Sequence, residues 1–477
     1  MPKTKKNKIC DKLTFNECEL AILRHAVDDA DEERGKKVNN SPEVKRIISV
    51  VEKFLRDSKS ICYGGTAINN ILPRQDQFYN KSADIPDYDF YSSDALNNAK
   101  KLVDIYIKEG FTEVEAKSGQ HHGTYKVFVN FIPVADISYM PKELFNVLKK
   151  DAITIDGILY APPNFLRMGM YLELSRPAGD VSRWEKVAKR LILLNKNYPL
   201  KGNQCSEITF QQRMSDTSNS NKIYENVKKT FIDQGCVFFG GYALSLYANY
   251  MPKNLKHQLK NIPDFDVLSE DPKLTATILK ERLHAANLKN VHIIERGGIG
   301  EIIAPNLEIK VGKETVAFIY KPLACHSYNV IKENHLDIRI ATIDTMLSFY
   351  LAFIYAERPY YDANRILCMA QYLFNVQAKN RLQQKGVLKR FSINCMGHQV
   401  TIEEMRAEKA KQFEKLRKQK TSKEYDEWFL RYRPAIGDGD GDGENKGSNS
   451  KTRPVTKKKK TKSKTKAKTK KSSSIFF

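Results

Sequence analysis

Two aspartates one residue apart, Asp87 and Asp89, with a third further along, Asp136, are the residues of this chain whose types and spacing could do chemistry. In a strand, side chains two apart project from one face, so Ile85-Pro86-Asp87-Tyr88-Asp89-Phe90 would present two carboxylates side by side. Charges that close repel unless a divalent cation lies between them. Asp136, in Pro133-Val134-Ala135-Asp136-Ile137-Ser138-Tyr139, would add a carboxylate from a later strand of the same sheet. Oxygen-only ligands suit Mg²⁺ or Mn²⁺, which keep some water and complete their shell from a substrate's phosphates. Two such ions about 3.5 to 4 Å apart suit an in-line phosphoryl transfer. Ahead of the pair stands Cys62-Tyr63-Gly64-Gly65-Thr66. Gly64 and Gly65 would let the backbone pass close to a phosphate at a helix N-terminus, with Thr66, or less favourably Ser82, adding a hydroxyl.

The elements that must hold these residues can be read from periodicity and caps. Ser41-Pro42-Glu43 predicts a helix start, with Val44, Ile47, Ile48, Val51, Phe54 and Leu55 as its apolar stripe. Strands are expected at 61–63, 87–91, 125–131 and 133–139, and helices at 16–33, 66–72, 93–109, 164–174 and 181–194. A polar connection, 196–220, leads to a second run of the same order, with helix 222–233, strand 236–239, strand 265–269, helix 273–285, strands near 291–296, 306–311 and 315–320, then helices 343–356 and 361–374. Residues 401–430 read as one charged helix.

The second run also repeats the motifs: Val237-Phe238-Phe239-Gly240-Gly241-Tyr242, then Ile262-Pro263-Asp264-Phe265-Asp266-Val267. Setting Pro322-Leu323-Ala324-Cys325-His326-Ser327-Tyr328 against the segment around Asp136 puts Cys325 where the third aspartate stood. His326 would be a poor substitute ligand in a Mg²⁺ site. The expectation is a catalytic first half and a non-catalytic second copy that shapes a nucleic-acid groove or packs against another subunit.

Length and charge bound the partners. At 477 residues the chain suits two or three domains, and 41% hydrophobic composition makes most of it globular. The formal charge is +23, with about twelve Lys or Arg and no acid between Lys451 and Lys471, which points to a polyanion partner and makes nuclear import an alternative role for the tail. No apolar run reaches the length of a membrane span and the first eight residues lack a secretory stretch, so no membrane partner and a soluble, intracellular protein are expected. The eight cysteines show no C-x-x-C pair and read as reduced, mostly buried thiols. His121-His122-Gly123 reads as a hairpin turn, and Asp438 to Gly443 as a linker, since Asn449 stands where a calcium loop needs Glu. Arg167, Arg176, Arg183, Lys186, Lys189 and Arg190 place positive charge after the first sheet, where a triphosphate or RNA could lie, or where a helix face is simply solvated.

The pattern G-G, D-x-D and a distant third D resembles the DNA polymerase beta-like nucleotidyltransferase superfamily. The doubled arrangement, size and basic tail resemble the poly(A) polymerase catalytic subunits of large nucleocytoplasmic DNA viruses, over roughly residues 40 to 375. The resemblance implies an α/β (α+β) fold of two tandem nucleotidyltransferase-like domains. These are expected after an N-terminal helical extension (1–40), with the catalytic domain at 41–195, the connection at 196–220 and the degenerate domain at 221–395. A helical segment (396–436) and a disordered linker and tail (437–477) would follow. It further implies template-independent addition of AMP from ATP to an RNA 3′ end with two Mg²⁺ or Mn²⁺ ions. Asp87 and Asp89 would bind both, Asp136 the one activating the primer hydroxyl, and Gly64, Gly65 and Thr66 the triphosphate. The long gap after Gly65 keeps Asp84 as a candidate participant. Homodimerisation or a separate processivity subunit, and a site in the host cytoplasm (viral factory) or virion, are also implied. The rival readings are a nucleotidyltransferase with another acceptor and an inactive RNA-binding scaffold.

Overall fold

Thr124 to Val129 alternates half-buried and buried side chains, so one face of this strand must be covered and the other left open. The computed structural model describes residues 10, 12–39, 41–80, 84–210, 219–251, 253, 259, 264–333 and 335–434. In it the strands are β1 (Ile61–Tyr63), β2 (Tyr88–Ser92), β3 (Val114–Ser118), β4 (Thr124–Val129), β5 (Ile132–Tyr139), β6 (Ile153–Ile155) and β7 (Ile158–Tyr160), in the spatial order β3-β4-β5-β2-β1-β7-β6. Helices α2 (Pro42–Ser58) and α4 (Ala95–Lys108) cover the apolar face, locked by the Tyr106 hydroxyl donating to the Ile47 carbonyl at 2.8 Å. α2 begins where its cap predicts, the Ser41 hydroxyl accepting from the Val44 amide. The α1 helix runs Phe15–Asn39, longer than its pattern suggests. α3 (Gly64–Ile71), α5 (Lys142–Lys150), α6 (Pro163–Leu174) and α7 (Trp184–Asn197) complete this half.

The second half repeats the first strand for strand. β8 (Val237–Phe238), β9 (Phe265–Leu268), β10 (Val291–Arg296), β11 (Asn306–Val311), β12 (Glu314–Tyr320), β13 (His326–Glu333) and β14 (Leu336–Ala341) lie in the order β10-β11-β12-β9-β8-β14-β13. Helices α8 (Ser220–Asp233) and α10 (Pro272–Ala285) take the places of α2 and α4, and α9 (Gly241–Ser245) that of α3. The helices that follow β7 and β14, α6 and α11 (Ile343–Ile354), pack on each other and join the halves. There the Phe165 and Tyr355 rings meet at 5.3 Å, and the Ser327 amide donates to the Ser175 carbonyl at 2.8 Å. α12 (Ala363–Lys379) follows α11 as α7 follows α6.

Each sheet gains one strand from the C-terminal part. β15 (Cys395–Met396) pairs with β13, whereas β16 (Arg431–Tyr432) pairs with β3 at the far edge of the first sheet. Residues 401–430 are therefore not one helix. α13 (Ile402–Leu416) and α14 (Lys423–Phe429) separate and return the chain to the first half, where the Trp428 ring packs at a tilt against His122, 4.3 Å away in the β3–β4 turn. The strand β3 and the hairpins β6–β7 and β13–β14 escape the sequence reading, because short or charged strands carry little alternation.

Two further expectations are corrected. Six of the cysteines pair, as Cys10–Cys18, Cys205–Cys368 and Cys325–Cys395, leaving Cys62 and Cys236 as buried thiols. Spacing along the chain cannot foresee pairs that the fold brings together across 163 and 70 residues. The matching of Cys325 with Asp136 is also wrong. Asp136 lies on β5, whose counterpart by sheet order is β12, while Cys325 directly precedes β13, the counterpart of β6. The shared letters of the two segments are a coincidence of register. Ser82, Ile262, Pro263, the 437–477 linker and tail, and part of the 196–220 connection lie outside the described residues.

Candidate active site

Asp89 and Asp136 are direct cross-strand partners on adjacent parallel strands, and the row extends through Tyr63 on one side and Lys126 on the other. Asp87 immediately precedes β2, two residues before Asp89 on the same face of the chain. The structure thus gathers the three predicted aspartates at the centre of the open sheet face. Burial raises the Asp89 pKa to about 7, with repulsion from Asp87 and Asp136 adding to it and Lys126 and Arg183 opposing. Asp87 is raised as well, first by burial and then by Asp136. One oxygen of Asp136 pairs with the Lys126 ammonium, and the other, Oδ1, is buried with no hydrogen-bond donor among the described residues.

The double glycine abuts this cluster from β1. Gly64 has φ +73°, and any Cβ there would run into the Asp89 carboxylate, so a side chain is excluded both by conformation and by space. A Cβ on Gly65 would come 2.6 Å from the Tyr79 hydroxyl and 2.9 Å from Arg190 Nη2. α3 starts at Gly64 without a side-chain cap, leaving its first amides for another acceptor. Thr66 is buried at 4% exposure and its hydroxyl donates to the Asp87 carbonyl at 2.7 Å, so it braces the aspartate segment. Asp84 accepts from the Asn80 amide at 2.7 Å and lines a 260 Å³ cleft with Thr66, Asn69, Tyr79 and Tyr160, to which none of the three aspartates contributes.

The basic residues after the sheet divide by role. Arg167 is fully buried and donates to Asn164, Asn195 and the Tyr198 carbonyl, a structural use. Arg183 pairs with Glu173 at 3.1 Å and its charge reaches Asp89. Arg190 donates to the Tyr79 hydroxyl at 2.7 Å, lies over Phe78, and keeps a buried Nε without a partner among the described residues. Arg190 is thus the one of the sequence-predicted basic residues that reaches the double glycine, whereas Lys126 is a functional candidate that motif reading passes over. Alternation in β4 already placed Lys126 on the open face, and that was the available signal.

The second copy preserves the framework and loses the site. A Cβ on Gly240 would collide with Asp266, as at Gly64 and Asp89. The cross-strand partner of Asp266 is Phe318, the residue in the place of Asp136. Burial raises Asp264 and raises Asp266 well above the usual carboxylate range, with Asp264 adding to the latter, while Arg365 supplies the opposing charge to both. Beside them Phe239 stacks on Phe349 at 4.7 Å and Tyr320 donates to or accepts from Tyr361 at 2.8 Å, so aromatic packing takes the place of the third carboxylate. His326 is buried at 2% exposure beside Phe349, and burial followed by the Arg176 charge lowers its pKa to about 3.

Among the described residues no three acidic, histidine or cysteine side chains are drawn closely enough together to hold a metal ion as they stand. The donor set of the first half nevertheless fits one: carboxylates alone, Asp87 and Asp89 raised first by burial and then by the neighbouring acids, with the orphaned Asp136 Oδ1 within the cluster.

Residues 49–180, which hold the double glycine and all three aspartates, match the family model described as "Poly(A) polymerase catalytic subunit". A "Putative poly(A) polymerase catalytic subunit" of Acanthamoeba polyphaga mimivirus is 35% identical over 164 residues, 33% of this chain and 27% of that protein. Its namesake in African swine fever virus (strain Badajoz 1971 Vero-adapted) is 32% identical over 171 residues, 35% of this chain and 36% of that protein. The matched stretch thus spans about a third of these relatives' length. The crystal structure of the Megavirus polyadenylate synthase shares the fold, with a TM-score of 0.71 at 20% identity over 87% of this chain and 86% of that one. In sequence over about a third of its length and in fold over most of it, the chain is similar to viral proteins named for polyadenylation.

Proposed function

We propose that the chain is a polynucleotide adenylyltransferase, a template-independent poly(A) polymerase that adds AMP from ATP to the 3′ end of RNA. The observation that carries this reading is the Asp87, Asp89 and Asp136 cluster beside the uncapped N-terminus of α3, inside the span that matches the family. The three carboxylates would hold two divalent ions, Mg²⁺ or Mn²⁺, which supply charge neutralisation at the attacking and leaving oxygens. The chain's own part is positional. Gly64 and Gly65 admit the triphosphate next to the α3 amides, and Arg190 stands at the same turn to meet its negative charge. Asp136, on the side away from the double glycine, faces the acceptor's 3′-hydroxyl, and Lys126 holds that carboxylate until substrate arrives. The 3′-hydroxyl oxygen then bonds in line to the α-phosphorus of ATP, giving up its proton to solvent, as the bond to the leaving pyrophosphate breaks and the adenylyl group is transferred.

The second half serves as a scaffold in this reading, its acid pair neutralised by Arg365 and by proton uptake. Self-association or a processivity partner belongs to the same proposal. The test is extension of a labelled RNA primer with each NTP and Mg²⁺ or Mn²⁺. Long products with ATP alone are expected, whereas RNA binding without extension would favour the inactive scaffold.

A further inference from the structure

The acidic row of the first sheet does not stop at Asp136. Across successive strands the register continues Asp136, Lys126, Lys117 and Arg431, all on the open face. At about 4.8 Å per strand, Arg431 lies roughly 14 Å from Asp136, the reach of two to three nucleotides of extended chain. The strand carrying Arg431 is β16, delivered by the C-terminal helices. α13 runs alongside and closes a 380 Å³ cleft lined by Lys117, Lys126, Phe128, Met405, Arg406 and Lys409.

The cleft is basic by construction. Lys409 is fixed in it by donating to the Ser118 hydroxyl at 3.2 Å and the Gly119 carbonyl at 3.1 Å. Glu115 is shared between Lys117 and Arg433, one acid against two cations, and Lys117 also lies over the Phe128 ring at 5.0 Å. Arg406 and Arg431 make no ion pair among the described residues. A cationic groove with an aromatic wall that ends at a carboxylate cluster suits the phosphates of a single strand. The double glycine lies on the opposite side of Asp89, which leaves this side for the acceptor.

We propose that this cleft binds the 3′-terminal phosphates of the RNA acceptor, with Lys126, Lys117 and Arg431 as successive steps and Arg406 and Lys409 as the facing wall. The assignment rests on the adenylyltransferase reading for the identity of the acceptor. Its test uses the full chain, an oligo(A) primer with 4-thiouridine next to its 3′ end, and the variant Arg406→Ala/Arg431→Ala, which touches none of the three aspartates. The acceptor KM should rise about tenfold, and the slope of log affinity against log salt should flatten by about 1.4, with kcat and the ATP KM unchanged. Cross-links should map to 117–128 or 405–409. An active double variant with unchanged acceptor KM and slope, or cross-links confined to 451–471, would overturn the groove. Should the wild type extend no RNA, the adenylation reading fails by itself. Equilibrium binding then decides the groove: weaker RNA binding by the variant sustains it, and equal binding overturns it.

Discussion

Asp136 and Phe318 occupy one position of a repeated sheet, and the difference between a carboxylate and a phenyl ring there separates the two halves chemically. If the first cluster does the reaction, Asp136→Asn should lower AMP transfer by on the order of a thousandfold, since it removes an anionic ligand at nearly constant shape. Asp264→Asn should leave transfer unchanged; loss of activity in the second variant and not the first would reverse the assignment of the halves. Asp266 also makes a prediction about pH. Its folded pKa lies well above the usual value, while in the unfolded chain it ionises near about 3.9. Its favourable contribution is therefore complete below that unfolded value and lost as pH rises through the folded one. Asp266→Asn escapes this loss, so its melting temperature relative to wild type should climb between pH 4 and pH 7. A constant difference across that range would show that Asp266 is not held neutral by burial.

At the scale of elements, the strand-to-helix turn from β1 into α3 sets the site, because it points amides and the Asp89 carboxylate at one space. Gly64→Ala combines a left-handed backbone with a collision against Asp89, and should cost about 1 to 2 kcal/mol while raising the ATP KM. Thermal melting and primer extension together check it; a variant with wild-type melting and KM would remove the turn from the site. Capped helices such as α2, and strands flanked by glycine turns such as β1, were legible because their signals are local. The open-face row was half legible. D-x-D gives two positions from one strand, but the place of Asp136, Lys126 and Lys117 in the row is a matter of pairing between strands, which no periodicity along the chain records. The same limit produced the false match of Cys325. Four shared residues in a seven-residue segment looked like an aligned strand, yet the order of the sheets places Phe318 there.

For the whole molecule, the connections show how two similar halves become unequal. The C-terminal helices leave the second half and finish the first, where Tyr432 donates to Asp104 at 2.8 Å and Lys100 pairs with Asp426 at 2.6 Å. The chain between the halves is in turn tied to the second: Cys205, just after α7, is bonded to Cys368 in α12, and Gly202 fits against both sulfurs only because it lacks a Cβ. A bridge that closes 163 residues restricts the unfolded chain far more than the native one, a stabilisation typically of about 2 to 5 kcal/mol. Cys368→Ser should therefore melt several degrees below wild type under oxidising conditions, and most of that gap should close when both are reduced. Because the bridge lies in the connection and α12, with none of the three aspartates bonded to it, kcat at low temperature should stay the same. Equal melting of the two proteins without reductant would mean that the halves are held by the α6–α11 packing and the C-terminal return alone.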